Sequence, residues 1–261
     1  MDRRRIALLA AASLLVAVPT SAEARPVAGG GVDPDARAGP LAGRVIVIDP
    51  GHQLGNARHP AQINQLVPAG GFRKACNTTG TATNAGWPEA TFVFRVAKRL
   101  RARLRDLGAR VVMTRTRNSL KLWGPCVDVR GKLGNRGFRG RARPADAKVS
   151  IHADGSTSGG RGFHVIVSTK RHRASGTVGF GRDVRRALAQ RGFRKANYIA
   201  GGDGFDIRGD LATLNLSRIP TVMVELGNMR NRREAKVMHS KRGQKRYARA
   251  LAAGVRRSLL G

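Results

Sequence analysis

The sequence is short of acid. Only 16 Asp and Glu offset 49 Lys and Arg in 261 residues, a formal net charge of +33. Such a field favours polyanions, either nucleic acid or an anionic cell envelope. A blander source is Arg- and Ala-rich codon usage that places solvated Arg on every helix. Aromatics are also scarce, at 5%. The core must then lean on Ala, Val, Leu and Ile, and few rings are left for stacking on bases. Two cysteines without CxxC spacing argue against a cysteine metal site. No cysteine stands just after the first apolar run, which argues against a lipid tether. No second long apolar run follows, so no membrane span is expected after signal cleavage. There is no internal repeat. The 41% hydrophobic content excludes a wholly disordered chain, and the length allows one or two domains.

What is present begins with an export signal. Arg3, Arg4 and Arg5 precede an apolar stretch from Ile6 to Val18, and Ala22-Glu23-Ala24 has the small-x-small form of a cleavage site. Residues 1–24 therefore read as a signal peptide, or else an uncleaved anchor. Residues 25–43 read as a Pro- and Gly-rich linker, and 44–261 as the folded unit. In an exported chain, Cys76 and Cys126 suggest one disulfide, against the alternative of two free thiols. It would close a loop of about 51 residues, worth roughly 4 kcal/mol in chain-entropy terms.

Strand, helix and strand alternate. Arg44 to Asp49 (RVIVID) suits a buried parallel strand. Residues 51–86 form a long polar loop. Pro88 to Leu107 is an amphipathic helix, with Phe92, Val93, Val96, Leu100 and Leu104 on one face and Gly108 as its stop. Arg110–Thr114, Ala147–Ile151, Phe163–Ser168 and Thr221–Glu225 are further strands. Residues 177–191 form a helix, and Ala235 to Leu260 a terminal one. Glycines at 131, 134, 137 and 140 argue against a regular helix over 130–143. The pattern is α/β, with a mostly parallel sheet.

Three strands deliver chemistry to one rim. RVIVID leads to Pro50-Gly51-His52, KVSI to His152, and TVMV to Glu225. Ligands of open parallel sheets bind beyond the strand carboxyl ends. Glu89 opens the long helix, where its charge also suits the helix dipole. Two imidazoles and a carboxylate with an open position make a catalytic zinc set, and a further carboxylate can serve as general base. Taken singly, each has a plainer reading. His52 and His152 could be loop hydrogen-bonders, and Glu89 a helix-start carboxylate. Glu225, ending an apolar strand, is harder to explain as an accident. His59, in the 51–86 loop, is the best spare ligand; His164, His172 and His239 lack a partner set. Asp49 and Asp154 are either orienting carboxylates or turn formers.

The segments VIVIDPGH, SIHADG and VELGNMRN, in that order with Glu89 between the first two, resemble the zinc-dependent N-acetylmuramoyl-L-alanine amidases. The likeness runs from about residue 44 to the end. Residues 195–231 are most similar to the actinobacterial, mycobacterial-type members, which also carry a Cys pair matching Cys76 and Cys126. The resemblance implies hydrolysis of the amide between the lactyl group of N-acetylmuramic acid and L-alanine of the stem peptide. It implies a twisted, mostly parallel sheet of about six strands with helices on both faces. It carries the metal ligands, for Zn2+, onto His52, Glu89 and His152, and the catalytic Glu onto Glu225. The glycine-rich 130–143 segment departs from it, since the family has a regular helix there. A secreted monomer acting on peptidoglycan is expected, with anionic envelope polymers as further partners and no nucleic acid. Two rivals keep the same residues in play: another zinc peptidase or deacetylase of the wall, and a non-catalytic basic binding protein.

Overall fold

The computed structural model describes residues 39–170 and 176–261. Residues 1–24, read from the sequence as a signal peptide, most of the 25–43 segment and His172 lie outside them. In chain order the elements are β1 (Val45–Pro50), α1 (Pro60–Ile63), β2 (Leu66–Pro68), β3 (Arg73–Ala75), α2 (Glu89–Asp106), β4 (Arg110–Met113), α3 (Val127–Lys132) and β5 (Ala147–Asp154). There follow β6 (His164–Ser168), α4 (Thr177–Gln190), β7 (Phe205–Arg208), α5 (Ala212–Asn215), β8 (Thr221–Asn228), α6 (Arg232–His239) and α7 (Lys241–Leu260).

Six strands form one sheet in the order β4-β1-β5-β8-β6-β7. β1 pairs in parallel with β4 and β5, and β5 with β8. β6 runs antiparallel to β8, with β7 parallel to β6. The expected mostly parallel sheet is therefore present, and its three site-bearing strands β1, β5 and β8 are immediate neighbours.

Side chains alternate across a strand, and here the alternation sorts chemistry. One face carries Ile46, Ile48, Val149, Ile151, Val222, Val224, Val165 and Val167, all fully buried. It packs against Phe92, Val96 and Leu100 of α2, Phe180 and Val184 of α4, and Tyr247, Leu251 and Val255 of α7 in one continuous core. Tyr247 stacks on Phe193 with ring centroids 4.1 Å apart. The other face carries Asp49, Lys148, Ser150, His152, Glu225 and His164 between two small apolar clusters, under α3 and α5. A dry face thus anchors the sheet and a wet face holds its reactive groups.

Several elements differ from the sequence reading. The 51–86 loop is structured, holding α1, the β2–β3 hairpin and the Cys76–Cys126 disulfide. No regular helix spans 130–143, as the glycines argued: a short helix, α3, ends at Lys132 and only a 3-10 turn at Phe138–Gly140 follows. Gly131 lets α3 approach α5 closely, since a Cβ there would lie 2.9 Å from the Ala212 carbonyl oxygen; Gly134, at φ 101°, ends the segment. The terminal helix is two helices, because Ser240 caps α7 by accepting from the Gly243 amide. Leu41, read as linker, is fully buried in the main core. No helix among the described residues is long and apolar enough to cross a membrane.

Candidate active site

His52 follows the Pro50-Gly51 exit of β1, with a left-handed backbone at φ 55°. Such a conformation in a non-glycine residue is costly and marks functional turns. Gly51 is required by sterics: a Cβ there would lie 2.6 Å from His152 Nδ1. Glu89 enters from the first turn of α2. β5 runs past its expected end, so His152 lies inside the strand, as Glu225 lies inside β8.

The three candidate ligands converge. His52 Nε2 is 3.2 Å from Glu89 Oε2, and His152 Nδ1 is 3.1 Å from Glu89 Oε1. One ligand atom from each of these residues falls within 4.8 Å of the others, a group that could hold a metal ion. The protonation pattern supports this. His52 Nδ1 lies 3.0 Å from the Thr78 carbonyl oxygen. A carbonyl only accepts, so Nδ1 carries the proton and Nε2 turns a lone pair toward Glu89. Two acceptors at that separation call for a cation or a proton between them. Glu89 is also held by the amides of Thr81 and Ala153, which donate to its two oxygens at 3.0 and 3.1 Å. Burial pushes its carboxyl up, while His52 and His152, when protonated, hold it well below the usual range.

Glu225 pairs across the β5–β8 ladder with His152. Its Oε2 is buried and has no hydrogen-bond partner among the described residues. Burial, then the Glu89 and Asp154 carboxylates, push Glu225 well above the usual range, against Arg208. A carboxyl so placed accepts a proton more readily than a solvated one.

This sheet, with two imidazoles and a carboxylate gathered at its rim and a second carboxylate alongside, matches one family over most of its length. A family model described as N-acetylmuramoyl-L-alanine amidase matches residues 46–257. The chain belongs to that family. It is 44% identical over 219 residues to the N-acetylmuramoyl-L-alanine amidase Rv3717 of Mycobacterium tuberculosis, covering 82% of this chain and 86% of the relative. The crystal structure of the N-acetylmuramyl-L-alanine amidase Ami1 from Mycobacterium smegmatis superposes with a TM-score of 0.76 at 41% identity, covering 84% of this chain and 98% of that one. Ami1 from Mycobacterium abscessus gives 0.76 at 42%, covering 84% and 100%.

Within this amidase, two arginines that the sequence did not single out hold the site together. Arg130 of α3 forks onto buried Asp49, with Nε 2.8 Å from Oδ1 and Nη2 3.0 Å from Oδ2. The same Nη2 stands 3.0 Å from His152 Nε2. A guanidinium only donates, so Nε2 accepts and, in a neutral ring, Nδ1 carries the proton and donates it to Glu89 at 3.1 Å; a metal bound at Nδ1 would have to take that proton's place. Thr114 and Ser150 hydroxyls also donate to Asp49. Burial pushes the Asp49 carboxyl up, yet Arg130 and these bonds bring it far below the usual range. Asp49 is thus an orienting carboxylate that acts through Arg130. Asp154, the last residue of β5, accepts from the Gly155 amide at 2.7 Å. Arg115 donates to the carbonyls of Pro50, Gly51 and Ala90, tying the turn before His52 to the first turn behind Glu89. His59 joins no metal-capable group among the described residues. His239 is exposed and packs edge-on to Trp87. His164 lies opposite Glu225 on β6.

Proposed function

We propose that this peptidoglycan amidase cleaves the bond between N-acetylmuramic acid and L-alanine with a zinc ion held by His52, Glu89 and His152 and with Glu225 as general base. The observation that carries the reading is the placement of Glu225 beside His152, with a buried oxygen unpaired. The donor set fits zinc: two nitrogens, one carboxylate and a remaining position for water or substrate. Zinc, when bound, supplies a Lewis acid that polarises a carbonyl and acidifies water to a pKa of about 7.

The chain's own groups do the rest. Glu225 takes the proton of the water that attacks the lactyl carbonyl. It returns a proton to the alanine nitrogen as the C–N bond breaks, releasing a muramic carboxylate and a peptide with a free amino terminus. The Asp49–Arg130 pair steadies the His152 ring, and the Thr78 carbonyl fixes the His52 tautomer. Removal of residues 1–24 on export, action on the wall outside the membrane, and adhesion of the basic surface to anionic envelope polymers complete the proposal. Family membership and the charge of +33 support these last points.

The test uses purified muropeptides with and without chelator, and mass analysis of products. Free stem peptide beginning with L-alanine is expected, and its loss on chelation. Glu225→Ala should retain metal while turnover falls by roughly 10²–10⁴-fold, the range for a general acid–base group. His52→Ala should lose the metal itself. Normal turnover in Glu225→Ala would overturn the base assignment. Sugar-deacetylated products would favour the deacetylase reading.

A further inference from the structure

The wet face holds one imidazole that the reaction as described leaves unused. His164 opens β6 and is directly opposed to Glu225 in the antiparallel β6–β8 ladder. Directly opposed residues share a face, with Cβ atoms about 4.5–5.5 Å apart. Both side chains carry an orphan: His164 Nδ1 and Glu225 Oε2 are buried, and neither has a hydrogen-bond partner among the described residues. A buried polar atom left unpaired costs about 1–3 kcal/mol, and native structures keep few of them. Two such atoms on facing residues are one feature, not two accidents.

The surroundings narrow the partners. One step down the ladder, Ile166 faces Met223, and both are packed with Leu214. That apolar floor offers His164 nothing to bond. The charged groups that act on His164 are Asp154, Asp206 and Arg208; Asp154 and Arg208 also act on Glu225. Burial draws the imidazole below its ordinary value, so at neutral pH it is uncharged, with one N–H to give and one lone pair.

We propose that His164 is a positioning residue for Glu225, its Nδ1 engaging Oε2 directly or through one water and fixing how the carboxyl group meets substrate. This rests on Glu225 being the general base. The bond satisfies both orphans and leaves Oε1 for proton transfer. Across the sheet the order becomes His152, Glu225, His164: a metal-side residue, the proton carrier, and its brace.

The experiment compares His164→Leu, His164→Asn and His164→Gln in the disulfide-intact enzyme. An Asn amide ends near the place of Nδ1, a Gln amide near that of Nε2. His164→Leu and His164→Gln should lower kcat by about ten-fold or more, with KM within about two-fold and metal content unchanged, while His164→Asn recovers most of the loss. In a Glu225→Ala background, none of the three should alter the residual rate, because coupled residues are non-additive. Full kcat in His164→Leu, equal activity of the Asn and Gln variants, or a further loss in the Glu225→Ala background would each overturn the proposal. An active Glu225→Ala enzyme would sink the base assignment instead. An inactive Glu225→Ala beside a fully active His164→Leu would sink only the brace.

Discussion

At the scale of single residues, the site is crowded by design of its glycines. Gly80 has φ +76°, and a Cβ there would lie 2.8 Å from Glu89 Oε2 and 2.9 Å from His52 Cδ2. Gly86 has nearly the same φ, +78°, and open space around it. The two separate strain from collision. Gly80→Ala should weaken metal binding at least about ten-fold, whereas Gly86→Ala should cost only about 1 kcal/mol of backbone strain and leave affinity intact. Metal titration of both variants checks this. Lys148 gives a prediction in pH. It is buried, donating to the carbonyls of Arg130 and Gly131 at 3.0 and 2.7 Å. Burial draws its ammonium down from 10.5 to about 7. Between those values the unfolded chain holds a proton that the folded chain has shed, so this residue makes stability rise with pH across that window. Denaturation midpoints from neutral to mildly alkaline pH should climb, and Lys148→Met should flatten the climb. An unchanged slope in Lys148→Met would refute it.

At the scale of elements, the disulfide joins the end of the hairpin region to the cap of α3, the helix that carries Arg130. Changing Cys76 and Cys126 together to Ser should lower stability by up to about 4 kcal/mol, read by denaturant unfolding. The elements that the sequence made legible share one property: their own residues state their burial. β1, β5 and β8 are apolar runs that end in a charge or an imidazole, and α2 has an apolar stripe closed by Gly108. The missed elements take their stability from elsewhere. β7 (FDIR) alternates apolar and polar but is only four residues long, and it forms because β6 offers it an edge. β2 and β3 are three residues each, too short for a pattern. Ser240, by contrast, was a readable cap between α6 and α7. Within the site, His52, Glu89, His152 and Glu225 could be proposed from strand-end and helix-start positions. Arg115 and Arg130 could not, being lost among 49 basic residues. Nor could the pairing of His164 with Glu225, which depends on register between distant strands.

At the scale of the whole molecule, one basic cluster lies away from the catalytic rim. Arg191, Arg242, Lys245 and Arg249 cluster on the exposed backs of α4 and α7, which cover the dry face of the sheet. The catalytic rim belongs to the wet face. Sedimentation of the inactive Glu225→Ala protein with purified anionic walls should therefore show retention that falls steeply between low salt and about 1 M, where screening reaches about 3 Å. Retention unchanged by salt would mean that charge is not the adhesive. The two-sided sheet has a last consequence. Because neighbouring positions along β5 or β8 answer to different masters, durability and reactivity are interleaved yet separable. An engineer could harden the scaffold through Val149, Ile151, Val222 and Val224, whose side chains face away from Ser150, His152 and Glu225.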